Sequence, residues 1–150
     1  MVMTRQQLLR SIDSERVKAA IQQAEDQTSG EIVVSVAPFF WGNVHKAARR
    51  AFARLGVTRT QSHNGVLFFI VPSRRLFVVL GDQGIHEKVG QAFWEDVAAV
   101  LTENFLKGDF TEGLVRGIAE VGKQLAKHFP YDRTTDVNEL ADDVDFGNRP

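Results

Sequence analysis

The chain contains no cysteine. Disulfides, thiolate metal sites and cysteine catalysis are therefore excluded, and a reducing compartment fits. It also lacks any long apolar run. VLFFIV and LFVVL are the longest, far below the ~18 residues of a spanning helix, and Arg74 and Arg75 stand between them. The opening MVMTRQQLLRSIDSERVK has no apolar stretch of the ~7–15 residues a signal peptide needs. A cytoplasmic protein without direct membrane insertion is expected. No G-x-S-x-G elbow is present, and Ser29, Ser35, Ser62 and Ser73 have no recognisable base partner. An excess of one charge is missing too: 18 basic against 19 acidic side chains give a net charge of −1. A nucleic-acid footprint would be far more basic, so no nucleic-acid partner is expected.

What is present fits an ordinary globular chain. It has 150 residues, 43% hydrophobic and 25% charged, enough to bury one core. SIDSERVKAAIQQAEDQTSGE predicts a helix capped by Asp13 or Ser14 and ended by Gly30. EIVVSVAP predicts a strand stopped by Pro38, and GNVHKAARRAFARLGV a second helix. Between them, the aromatic stretch Phe39 to Gly42 is expected to anchor the loop in the core, the alternative being an aromatic wall of a site. GVLFFIV and RLFVVLG, joined by the short PSR, predict an antiparallel hairpin with both faces covered. Two more helices follow, one from near Ile85 and one closed by Pro130. Gly113, Gly117 and Gly122 in the last of these predict close helix approach. The order α-β-α-β-β-α-α predicts an α/β domain over residues 1–130, with helices flanking a small mixed β-sheet and its central hairpin.

Charge is unevenly spread. Residues 1–130 carry 16 basic and 13 acidic side chains, and residues 131–150 carry 2 and 6. Most of this acidic tail cannot bury enough surface to offset the entropy of ordering it. Val137, Leu140, Val144 and Phe146 are its apolar anchors, with acids able to meet Arg49, Arg50 or Arg54. Tyr131 to about Leu140 is expected to pack as an extended segment, and Gly147 to Pro150 to stay mobile. A protein partner through the loops or this tail is open.

The second hairpin strand ends in Gly81-Asp82-Gln83-Gly84, with His86 and Glu87 just beyond. A strand, a glycine loop and a helix start suggest phosphate binding. The spacing is not G-x-G-x-x-G, and no G-K-[ST] follows. Asp82 then has two readings. It caps the next helix, with Glu87 favoured in the first turn, or it is an oxygen ligand for a hard divalent cation. The hairpin's equal arms bring Asn64 to the same sheet edge, although Asn-Gly is also a common turn dipeptide. His63 and His86 reach that edge as well. A full zinc set of three His or carboxylate ligands cannot be assembled.

SGEIVVSV, ARLGVTRTQSHNGVLFFIV, LFVVLGDQGIHEKVGQAFWEDV and FLKGDFTEGLVRGIAEVGKQLAKHFP, in this order and spacing, resemble the TPM domain across residues 29–130. DVNELADD resembles the ending of its short soluble bacterial members. The resemblance implies a Rossmann-like layered sandwich with a divalent-metal site, usually calcium, in loops at one end of the sheet. It implies acid phosphatase activity for a plant chloroplast relative and accessory roles for others. Matched residue by residue, Asn64, Asp82 and Glu87 fall on family site positions, and His86 lies among them. The longer, tethered members carry a further Asp in the following helix, where this chain reads GIHEKVGQAF. The expectation is a cation-binding accessory or regulatory domain, with calcium or magnesium at Asn64, Asp82, Glu87 and His86. The alternative is a metal-dependent phosphatase for phosphomonoesters.

Overall fold

The computed structural model describes residues 4–38, 42–131 and 142–147. Along these run α1 (Arg5–Ser11), α2 (Ser14–Glu25), β1 (Glu31–Val36), α3 (Val44–Arg54), β2 (Gly65–Val71), β3 (Leu76–Gly81), α4 (Gln83–Leu106) and α5 (Phe110–His128). Short polar side chains start the helices. Asp13 Oδ1 accepts from the Arg16 amide at 3.2 Å, Asn43 Oδ1 from Lys46 at 3.0 Å and Asp109 Oδ1 from Glu112 at 3.3 Å. Thr4 and Gln7 close a reciprocal capping box on α1. Each cap satisfies an amide that the helix itself cannot, worth about 1 kcal/mol.

The strands form one mixed sheet in the order β1-β2-β3. The α3 crossover makes β1 and β2 parallel, with Glu31 opposite Gly65. The hairpin makes β2 and β3 antiparallel, with Val66 opposite Gly81. Every residue of β1 and β2 is buried, because helices cover both faces. Ile32, Val34, Val66, Phe68 and Ile70 pack with residues of α2, α4 and α5. Val33, Leu67, Phe69 and Val71 face Ala48 and Ala51 of α3. Gly117 and Gly122 supply the expected close approach. A Cβ there would stand 3.2 Å from the Phe68 ring and 2.8 Å from Ala24 Cβ.

Several local expectations are corrected. The hairpin is not central: β2 is, and β3 is an edge strand whose residues are mostly half-buried. The first long helix ends at Glu25, capped by Asp26, rather than at Gly30. Gly30 instead lies against Leu125, where a Cβ would come within 2.7 Å. The helix expected from Ile85 begins at Gln83 and is interrupted at Gly90, with φ 75° and ψ 173°. That conformation is open to glycine and strained for other residues.

Residues 142–147 return to the domain. Asp145 forms a parallel bridge with Ser35, and Val144 and Phe146 pack against the core. Of the segment expected to pack from Tyr131 to about Leu140, Tyr131 is exposed; its residues 132–140, the stretch Phe39 to Trp41 and the mobility expected of residues 148–150 lie outside the described residues. Among the described residues no helix is long and apolar enough to cross a membrane.

Candidate functional site

Pairing places the start of β1, the start of β2 and the end of β3 at one end of the sheet. The Asp82 amide donates to Gly65 O at 2.9 Å, so Asn64 and Asp82 do share that end. Asp82 is the α4 cap, its Oδ1 accepting from the Gln83 amide at 2.8 Å. Its Oδ2 lies 3.2 Å from His63 Nδ1. His63 has a left-handed backbone, φ 50°, and presents a side chain that is 60% exposed. The carboxylate thus fixes one ring nitrogen while the rest of the ring meets solvent.

Asn64 is 1% exposed. Its amide donates to Thr60 Oγ1 at 3.2 Å, and its Nδ2 reaches Ser29 Oγ at 3.4 Å. Its Oδ1 is buried and accepts no hydrogen bond from the described residues. Glu87 is exposed, one oxygen accepting from Gln83 Nε2 at 3.2 Å. His86 is tied back instead, its Nδ1 accepting from Trp94 Nε1–H at 3.0 Å. A neutral ring accepting at Nδ1 carries its hydrogen on Nε2. Neither nitrogen then offers a free lone pair, so His86 anchors α4 rather than pointing to a ligand.

The glycines of the 81–84 loop have a packing reason. A Cβ at Gly81 would collide with the Trp94 ring. A Cβ at Gly84 would collide with Ser62 O and stand 2.6 Å from His63 O. Backbone cannot swing aside as a flexible side chain can. Gly84→Ala is expected to destabilise by roughly 1–2 kcal/mol, within the usual range for overpacking. Urea unfolding measures it, and an unchanged midpoint would contradict the close approach.

The same end holds acids that the sequence did not single out. Glu31 opens β1 yet is 3% exposed, and its amide donates to Asn64 O at 3.4 Å. Glu25 Oε2 accepts from the Ile32 amide at 2.8 Å. Burial, the hydrogen bond with Asp142 and the Glu31 charge push the Glu25 carboxyl up to about 10, against the Ile32 N–H. Glu25 therefore keeps its proton at neutral pH. A charged residue leading a buried strand was the available signal for Glu31. Among the described residues, no three His, Cys, Asp or Glu side chains converge into a metal-holding group.

The family model of the TPM domain matches residues 2–124. The NMR structure of BA42 protein from the psychrophilic bacterium Bizionia argentinensis is 34% identical. Its TM-score is 0.83, over 91% of this chain and 95% of that one. The N-terminal domain of cg2496 protein from Corynebacterium glutamicum has a TM-score of 0.58 at 12% identity. It covers 91% of this chain and 79% of that one, a likeness of fold alone. No curated protein is significantly similar.

Proposed function

The chain belongs to the TPM domain family, and from that premise we propose that it is a cytoplasmic accessory domain binding a divalent cation, calcium or else magnesium. The observation that carries this is Asn64 Oδ1, a buried oxygen that accepts no hydrogen bond from the described residues. Leaving such an acceptor unsatisfied costs about 1–3 kcal/mol, and a hard cation would remove that cost. Asp82 is the carboxylate at the same end, and Glu87 adds a second from α4, just past its first turn, which holds no acid. These are oxygen donors suited to calcium. A bound cation would supply fixed positive charge beside buried carboxyls. Asn64 and Asp82 would position it, and the Trp94–His86 hydrogen bond would hold the α4 turn that carries Glu87. Helices on both faces of a sheet with a parallel β1–β2 pair support the Rossmann-like reading of the fold.

Calcium titration followed by amide shifts is the test. Residues 62–65 and 81–88 are expected to move first. Asp82→Asn keeps a helix-capping side chain and removes the charge. It should weaken binding at least tenfold, about 1.4 kcal/mol. Unchanged shifts at millimolar calcium would overturn the proposal.

The His63–Asp82 pair favours a second reading. An imidazole oriented by a carboxylate and open to solvent is suited to general acid–base work. That would fit a phosphatase acting on phosphomonoesters. The expected result is little or no turnover of a generic phosphomonoester, with or without calcium or magnesium. A metal-dependent rate abolished by Asp82→Asn, with the fold intact, would establish the phosphatase reading instead.

A further inference from the structure

An edge strand leaves a row of backbone donors and acceptors that a further strand can pair with. β1 is such an edge, and residues 142–147 cover part of it. The Val36 amide donates to Asp145 O at 2.7 Å, and the Asp145 amide donates to Val34 O at 2.9 Å. Side chains alternate as in a strand. Val144 and Phe146 pack into the cluster shared with α2, α4 and α5. Asp145 turns to the other face, toward the end of α3, and its side chain is fully buried. There its Oδ2 accepts from Ser35 Oγ at 2.8 Å and from Arg54 Nη2 at 2.6 Å. Asp143 adds an outer ion pair with Lys18 at 2.9 Å.

These contacts have the features of a peptide-recognition slot. Main-chain hydrogen bonds add an extended segment to an open sheet edge, and alternating side chains give it selectivity. Ser35 and Arg54 call for one carboxylate, and the helix-covered face calls for an apolar residue on each side of it. We propose that the β1 edge, with Ser35 and Arg54, is a binding site for an extended apolar–Asp–apolar segment of a partner protein, and that residues 142–147 are its built-in occupant. Charge complementarity to Arg54 picks an acidic peptide over a neutral or basic one. The segment belongs to the same chain and competes intramolecularly, so a partner binds by displacing it. The slot lies on the β1 edge, away from the Asp82 loop beyond β3, and does not depend on the cation reading.

The test uses a labelled peptide, Asp-Asp-Val-Asp-Phe-Gly, the sequence of residues 142–147, and the full chain. In one variant Asp145→Ala and Phe146→Ala together disable the built-in occupant. This variant is expected to bind the peptide at least tenfold tighter than the wild type. A peptide with alanine in place of the acid that matches Asp145 should bind at least tenfold more weakly. Equal weak binding to both proteins, or binding indifferent to that acid, would overturn the proposal. If the double variant fails to fold, the wild type decides: millimolar peptide should shift the amide signals of Ser35 and Val36, and unmoved signals would overturn it. Light scattering of the wild type should show a monomer. A concentration-dependent dimer held by exchange of residues 142–147 would assign the slot to a second copy and overturn the partner assignment.

Discussion

Glu25→Gln is expected to stabilise the protein, and to do so more at pH 9 than at pH 5. The Glu25 carboxyl is raised from 4.5 to about 10, first by burial, then by its hydrogen bond with Asp142 and the charge of Glu31. A carboxyl raised in this way binds more protons folded than unfolded. Its favourable contribution is fully present below about 4.5 and is lost as pH climbs toward about 10. While the folded protein keeps that proton, each pH unit above the unfolded value costs about 1.4 kcal/mol. Two to three units would set an upper limit, and the incomplete burial of Glu25 lowers it. An effect of about 1–3 kcal/mol near pH 7 is therefore expected. Glutamine is the neutral mimic of the protonated acid. Its Oε1 still accepts from the Ile32 amide, and its Nε2 donates to Asp142, with no proton to take up. Urea unfolding between pH 5 and pH 9 checks this. The wild type should weaken as pH rises, and Glu25→Gln should flatten that slope. Parallel curves would show that Glu25 titrates as an ordinary exposed acid.

How much of this site was legible in the sequence depends on the distance over which each contact closes. Asn64 beside Asp82 was readable because a hairpin is local: equal arms about the Pro72–Arg74 turn fix Val66 opposite Gly81. Glu31 beside Asn64 was not, because a parallel register through α3 leaves no mark in local spacing. Asp145 against Ser35 closes over 110 residues and is equally silent. Gly81 and Gly84 were visible as punctuation, but the Trp94 ring and the Ser62–His63 backbone that exclude a side chain there are tertiary facts. His86 suggested a ligand because the indole that occupies its Nδ1 stands eight residues away, beyond the Gly90 break. A single glycine in a helical period gives no warning of such a break. The core was the easiest part. Continuous apolar strands and striped helices left few ways to cover both faces of the sheet.

Arg54→Ala is expected to release residues 142–147 while the rest of the domain stays folded. Burial pushes the Asp145 carboxyl up, but the Arg54 and Ser35 hydrogen bonds outweigh it and hold the group below the usual aspartate range. Removing one partner of a buried ion pair typically costs ~3–5 kcal/mol, because the remaining charge stays buried. Here the remaining charge has an exit. Asp145 is on a segment held by two backbone hydrogen bonds, two partly buried apolar side chains, the Asp142–Glu25 hydrogen bond and the outer Asp143–Lys18 pair, so it can return to water by undocking. The loss of stability is then capped by the docking free energy, about 1–3 kcal/mol from such contacts. The readout is hydrogen exchange at Val36, whose amide donates to Asp145 O. Its protection should fall at least tenfold in Arg54→Ala at pH 7, while β2 amides keep theirs. The pH dependence has the opposite sign to that of Glu25. A depressed aspartate contributes its stability above the unfolded value of ~3.9 and loses it as pH falls through the lower folded value. Wild-type protection at Val36 should persist at pH 5 and decline below about pH 4. If Arg54→Ala left that protection unchanged at neutral pH, backbone pairing and the Val144 and Phe146 contacts would be holding the segment without the ion pair.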